Sequence, residues 1–337
     1  MNARSRIGSR LWAATVAAAL AAVALGFAPR PAHAALSTGV VDVTTTLGLQ
    51  NGIAAGTGIV LTASGAILTN NHVIRGATDM RVIDPSTGRS YTATVVGYSV
   101  TSDVAVLQVN GTVHLHPVTL GNSSKAKIGQ LVTAVGNAGG KGGKPATAKG
   151  KITAVGRSIV ASDGEGLSER LVGLIQINAA LQPGDSGGPL VNAAGRVIGM
   201  DTAASVGFEF QSSHVGYAIP INGAVRLAKQ IEAGRASTTV HIGSTPFLGV
   251  SVAAAGTGQG PAGALVAGVV SGSPAEKAGI VTGDTITAVS GQPVTSYEAL
   301  ASLLLQYHAG DTVTVQWIDA TGATQTADVV TATGPPQ

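Results

Sequence analysis

Ser186 stands in the run Gly184-Asp185-Ser186-Gly187-Gly188-Pro189, where the sequence most plainly offers chemistry. A serine hydroxyl attacks at neutral pH only if a base takes its proton, a further group orients that base, and donors meet the developing oxyanion. Gly184 and Gly187 flank the Asp185-Ser186 pair and permit a sharp turn. Such a turn aims the N–H groups of Gly184 and Ser186 at one point, an oxyanion hole. An ordinary tight turn uses glycines too, but six specified residues in a row favour a nucleophile.

The base must come from seven histidines. His33 falls in the N-terminal leader, His114 and His116 in a turn-like stretch beside Pro117, His214 in a loop and His241 in a linker-like stretch. His308 ends a helical stretch, a usual place for a cation. His72 differs, following the apolar strand of Leu68-Thr69-Asn70-Asn71-His72-Val73-Ile74. For the orienting carboxylate, Asp103 precedes the strand Val104-Ala105-Val106-Leu107, although a turn aspartate would look the same. Asp79 and Asp84 compete but lie in polar surroundings close to His72.

Short β segments divided by turns must carry these groups. Ile59–Thr62 and Ala66–Thr69 flank Ser64-Gly65 as a hairpin, and Val104–Val109, Leu131–Val135, Leu174–Ile177, Leu190-Val191, Val197–Met200 and Val215–Ile219 continue the pattern. Ala224, Leu227, Ala228 and Ile231 recur at helical spacing and predict a closing helix over 221–233. The expected division is a leader at 1–34, a β domain at 35–235, a linker at 236–245, a small α+β module at 246–333 and a loose tail at 334–337. In the module, strands are expected at 248–252, 265–270, 284–289 and 312–317, with helices at 274–278 and 296–307.

Thr-Asn-Asn-His-Val, Ser-Asp-Val-Ala-Val-Leu and Gly-Asp-Ser-Gly-Gly-Pro-Leu occur in the order of trypsin-fold proteases, at separations of 31 and 83 residues. With Asn-Ala-Ala-Leu-Gln-Pro before the serine and Gly-Tyr-Ala-Ile-Pro-Ile at 216–221, the chain resembles the HtrA/DegP branch, in particular its secreted mycobacterial members. The resemblance implies a mostly β fold, a trypsin-like double β-barrel followed by a PDZ domain. It implies His72 as general base and acid, Asp103 as its orienter and Ser186 as nucleophile. Asp185 departs from the Asn that many HtrA proteins carry, and no Ile-Val-Gly-Gly start is visible for it to pair with. Ala179, Ala180 and Leu181 with Val215 are expected to line an apolar S1 pocket for small aliphatic residues. The stretches 136–150, 157–171 and 202–214 resemble the family's regulatory loops.

Phe247-Leu248-Gly249-Val250, the Gly-Ser-Pro-Ala-Glu-Lys-Ala-Gly run at 272–279 and Gly283-Asp284-Thr285-Ile286 resemble the PDZ domain of HtrA proteins. The implied carboxylate-binding amides are those of Leu248, Gly249 and Val250, with a C-terminal peptide added as a strand. Together these resemblances imply a secreted, ATP-independent endopeptidase for unfolded or exported proteins. A chaperone or peptide-binding scaffold with latent proteolysis is the alternative. A homo-trimer is a family expectation only, because 35–50 lacks the aromatic residues that help hold HtrA trimers.

Composition excludes other classes. Zero Cys leaves no disulfide or thiolate metal site, and no His-Glu-x-x-His or phosphate-loop spacing occurs, so neither metal nor cofactor is expected. Ser124-x-x-Lys127 is too weak a match for a Ser/Lys dyad. Residues 1–34 combine four arginines, the apolar run Leu11–Phe27 and Ala32-His33-Ala34, the pattern of an export signal. Without it, 16 basic residues face 17 acidic ones, so no electrostatic case for nucleic acid survives.

Overall fold

The computed structural model describes residues 36–162, 168–202, 215–253 and 262–337. The expected leader at 1–34, most of the 202–214 loop and part of 157–171 lie outside the described residues.

The first barrel comprises β1 (Val40–Leu47), β2 (Gly52–Val60), β3 (Ala66–Thr69), β4 (Asp79–Asp84), β5 (Arg89–Ser99) and β6 (Val104–Val109), with the short helix α1 (Asn71–Ile74) after β3. Strand order is β5-β4-β1-β2-β3-β6, and pairing of β5 with β6 closes the ring. The hairpin at 59–69 forms as its alternation predicts, with Ile59 opposite Leu68 and Val60 opposite Ile67. On β6 the period of two divides the burial. Ala105, Leu107 and Val109 fill this barrel, whereas Val104 and Val106 join a second cluster outside it.

The second barrel is β7 (Leu131–Gly136), β8 (Ala146–Ser162), β9 (Ser168–Ile177), β10 (Pro189–Asn192), β11 (Val197–Thr202) and β12 (Gly216–Pro220), closed in the order β10-β11-β12-β9-β8-β7. Helix α2 (Ile221–Glu232) buries Ile221, Ala224, Ala228 and Ile231. That face packs with Val104, Val106, Leu174, Val197 and Met200, so residues of both barrels share one core.

The stretch expected to be a linker does not run free. Val240 is buried at 2% exposure, and β13 (His241–Ile242) pairs with β5 of the first barrel. The His241 ring nitrogens lie 3.1 Å from the Ser244 and Leu305 carbonyls. Too few apolar residues occur there to signal burial, but a sheet edge needs only backbone to pair.

The α+β module holds β14 (Thr245–Phe247), β15 (Val250–Val252), β16 (Ala264–Val269), α3 (Pro274–Lys277), β17 (Thr285–Val289), β18 (Gln292–Pro293), α4 (Tyr297–Leu304), β19 (Thr312–Ile318), β20 (Thr324–Val330) and β21 (Ala332–Gly334). Its sheet runs β15-β16-β17-β19-β20, and β14 pairs with β21. Both helices start on a serine cap. The Ser273 hydroxyl accepts from Glu276 N with Pro274 in the first turn, and the Ser296 hydroxyl accepts from Ala299 N. Leu248, Ile286, Leu300, Val313 and Trp317 lie in its core.

The tail is tied down rather than loose. Gly76 N donates to Pro336 O at 2.8 Å, Asn71 Nδ2 to Gln337 O at 2.9 Å, and Gln337 N to the Tyr98 hydroxyl at 3.3 Å. Pro335 and Pro336 are stiff, so ordering them costs little backbone entropy. Among the described residues no helix is long and apolar enough to cross a membrane.

Candidate active site

His72 sits on α1, at the end of the β2–β3 hairpin, and Asp103 ends the turn before β6, the strand that pairs with β3. Pairing of β3 with β6 therefore sets the two side by side. His72 Nδ1 is 3.0 Å from both carboxylate oxygens of Asp103, and the His72 backbone N–H donates to Oδ1 at 3.0 Å. Thr202 Oγ1 adds a bond to Oδ2 at 3.1 Å, and Asn70 Nδ2 holds the Asp103 carbonyl at 2.9 Å. The Asp103 side chain is 2% exposed and that of His72 28%, so the carboxylate is enclosed while the ring reaches solvent. Asp103 has a φ of 51°, a left-handed conformation that Asp tolerates better than most residues. Asp79 and Asp84 begin and end β4 and make no hydrogen bond or ion pair with His72 among the described residues.

The turn carrying Ser186 is pressed against the first barrel. Thr57 N donates to Ser186 O at 2.8 Å, and Thr57 Oγ1 donates to Gly184 O at 2.6 Å while accepting from Asn137 N at 2.9 Å. The same stretch of β2 meets α1, because a Cβ on Gly56 would stand 2.7 Å from the Val73 side chain and 3.2 Å from Ser186 O. β2 thus brings the His72 helix and the Ser186 turn to one place. The glycines are required by contact as well as by φ. At φ 96° a Cβ on Gly184 would lie 2.1 Å from Asn137 O, and at φ 84° one on Gly187 would lie 2.1 Å from Thr57 O.

Asp185 N, Gly187 N and Gly188 N are consumed within the turn and by β11, donating to Gln182 O, Asp201 O and Asp185 O. Gly184 N makes no such bond among the described residues, which leaves it able to receive an oxyanion. Beside the turn, Leu181 packs on Gly216 at the start of β12, where a Cβ would come within 2.9 Å of its side chain. Ala180 and Val215 are exposed, and Ala179 is buried inside the second barrel. Of the expected S1 residues, Leu181 is half-buried against Gly216, Ala180 and Val215 reach solvent, and Ala179 belongs to the barrel core rather than to a pocket wall.

In the α+β module, Gly249 has φ 87° and its backbone approaches Ser273 so closely that a Cβ would lie 2.2 Å from the serine Cβ. Ala275 N and Val270 N donate to Leu248 O and Gly249 O, whereas Leu248 N and Gly249 N donate to no backbone carbonyl among the described residues. The loop's amides are thereby turned away from the module's own bonding, beside the free edge of β15.

Sequence inspection does not reveal Thr202, Thr57, Asn70 or Asn137 as members of this framework. Thr202, two residues beyond the Val197–Met200 run, and Asn70, inside the Thr-Asn-Asn-His-Val motif, had positional clues. It also misses two buried acids near the site. Asp42 is 1% exposed and Asp201 0%; both carboxyl oxygens of Asp201 lack a hydrogen-bond partner among the described residues, whereas the Asp42 carboxyl has at most the Gly143 amide beside it. Burial pushes the Asp42 carboxyl up to about 6 against a partial offset from the Gly143 amide. Burial also raises Asp185, opposed by a bond from Gln182 N at 2.8 Å, and raises Asp201 well above the carboxylate range, helped by the Asp185 charge.

Comparison with known proteins gives the family of each domain. Residues 56–200 match the trypsin-like peptidase domain family and 246–331 the PDZ domain family. The serine protease PepD of Mycobacterium tuberculosis is 35% identical over 86% of this chain and 63% of its own length. The periplasmic serine endoprotease DegP of Escherichia coli is 33% identical over 79% of this chain and 54% of its own. The chain thus spans less than two thirds of the length of these curated relatives. The solved structure of the HtrA-type protease AlgW with a decapeptide is 27% identical, at a TM-score of 0.50, over 90% of this chain and 99% of that one.

Proposed function

Because the chain belongs to the HtrA/DegP family of trypsin-like serine proteases with a PDZ domain, we propose that it is an exported, ATP-independent serine endopeptidase acting on unfolded or exported proteins. The observation that carries the reading is the His72–Asp103 pair, with Nδ1 3.0 Å from both carboxylate oxygens and the nucleophile turn anchored to the strand beside it.

In this mechanism Ser186 Oγ attacks the scissile carbonyl carbon while His72 Nε2 takes its proton. Asp103 accepts from Nδ1–H, which fixes the tautomer and stabilises the imidazolium that forms. The N–H groups of Gly184 and Ser186 receive the oxyanion. His72 then returns the proton to the leaving amine nitrogen as the C–N bond breaks. Water, deprotonated by the same ring, releases the acyl group from Oγ. Leu181 and Val215, with Ala180, favour a small aliphatic residue before the scissile bond, and no acid stands among them to attract Lys or Arg.

The PDZ domain takes the C-terminal end of a polypeptide, its carboxylate on the amides of Leu248, Gly249 and Val250 and its chain alongside β15. Export follows from the pattern of residues 1–34 and accords with the periplasmic naming of DegP.

A fluorophosphonate probe tests the reading on the mature protein. Wild type is expected to be labelled and Ser186→Ala unlabelled. Labelling that persists in the variant removes Ser186 from the nucleophile's role. In a peptide library, cleavage is expected after Val or Ala, and a profile dominated by Lys or Arg contradicts the pocket.

A further inference from the structure

Asp185 lies in the Ser186 turn and Asp201 on β11 beneath it, and neither has a cation partner among the described residues. Asp201 is stitched to the turn through its backbone, its N–H donating to Gly188 O at 2.7 Å and its carbonyl accepting from Gly187 N at 2.9 Å. The next residue, Thr202, donates to Asp103. One dipeptide at the end of β11 therefore supports both the nucleophile turn and the orienting carboxylate.

The side chain of Asp201 is fully buried, and both of its carboxyl oxygens lack a hydrogen-bond partner among the described residues. Asp185 is 5% exposed; its Oδ2 accepts from Gln182 N, and its Oδ1 lies where a Cβ on Gly136 would come within 2.7 Å. The described charged or titratable groups on the surrounding elements are few. Asp185 is on the turn itself, Asp103 and His72 connect to β11 through Thr202, and Tyr217 on β12 stands opposite Thr202. The buried face of α2 is Ile221, Ala224, Ala228 and Ile231, with none of its basic residues. A buried carboxylate with no cation and a like charge beside it strongly favours its protonated form. Asp185 has an amide donor that stabilises its charge, and Asp201 has none, so the proton belongs on Asp201.

We propose that Asp201 is a positioning residue of the site, held as a neutral carboxylic acid beneath the Ser186 turn, and that loss of its proton disengages the turn and the Thr202–Asp103 bond. An ionised Asp201 must draw in water, which parts β11 from Gly187 and Gly188. The site then has an alkaline limit to its activity, set by Asp201. The part of this concerning activity rests on the protease reading; the protonation state does not.

Two measurements on the mature protein test it. Infrared spectroscopy at about pH 8, where Asp42 has released its proton, reads the C=O stretch of a protonated carboxylic acid. The band is expected in wild type, absent in Asp201→Asn, and lost at a lower pH in Asp185→Asn, where the like charge is gone. Fluorophosphonate labelling rates across pH, each normalised to its own maximum, read the alkaline limb. At the pH where wild type has fallen tenfold on the alkaline side, Asp201→Asn is expected to remain within about twofold of its maximum, with circular dichroism unchanged for both. An acid band that survives Asp201→Asn overturns the proposal, as does an alkaline limb that superimposes on wild type. Should wild type carry the band yet take no label at any pH, the protonated Asp201 stands and the enzymatic reading fails.

Discussion

Asp103 accepts three bonds through its carboxylate, and each of its donors has a different job. In the proposed mechanism the His72 ring needs it for tautomer and charge and the His72 backbone for position, while Thr202 fixes the carboxylate. Asp103→Asn is therefore expected to lower kcat by about 10³–10⁴ with little change in KM, since the wrong tautomer spoils the base while binding survives. Thr202→Val keeps shape and removes one donor, and a loss of about tenfold or less in kcat is expected, in line with roughly 1 kcal/mol for a hydrogen bond. Steady-state kinetics on one peptide substrate check both, and a Thr202→Val loss equal to that of Asp103→Asn would reverse the ranking. Gly187→Ala should instead act on folding. Its Cβ would meet Thr57 O at 2.1 Å in a left-handed backbone, and a destabilisation of about 2–4 kcal/mol is expected by urea titration.

Elements were legible in the sequence where burial imposed a period. β3, β6 and α2 lie where alternation and helical spacing put them, because each has one face in a core. β20 was not, since its run Thr-Gln-Thr-Ala-Asp-Val-Val is mostly exposed and offers apolar side chains only at its end. β13, β14 and β21 escaped for another reason, being two or three residues long and held by backbone pairing that leaves no side-chain signature. The triad candidates could be read from local motifs, whereas Thr57, Thr202 and Asp201 owe their importance to contacts between strands far apart in sequence. The serine caps of α3 and α4 follow the usual rules, and Ser273→Ala or Ser296→Ala is expected to cost about 1 kcal/mol of PDZ-domain stability. Thermal melts should place the loss in the PDZ transition alone, and a shift confined to the protease transition would contradict that placement.

At the scale of the whole molecule, the buried acids govern how stability varies with pH. Asp42, Asp185 and Asp201 all have raised values in the folded protein, so the native state holds protons that the unfolded chain has already released. Their contribution is complete below the unfolded carboxylate range, near pH 4, and is lost as pH rises, for Asp42 through about 6. Asp84, Glu298 and Asp319 have lowered values and pull the other way, losing stability as pH falls, but they lie at the surface where solvent screens them. A higher melting temperature at about pH 5 than at about pH 8 is expected, with Asp42→Asn flattening the slope between about pH 4 and 7. A slope untouched by that substitution would remove Asp42 from the account.

The bonds from Asn71 and Gly76 to residues 336 and 337 also set an order of events during synthesis. The helix bearing His72 is braced on both sides of it by residues up to 266 positions further along the chain. At ordinary elongation rates the brace emerges from the ribosome on the order of tens of seconds after the helix it holds. A nascent or truncated chain thus carries Ser186 and His72 before the last ties to that helix exist, and full assembly of the candidate site waits for the PDZ domain to be made.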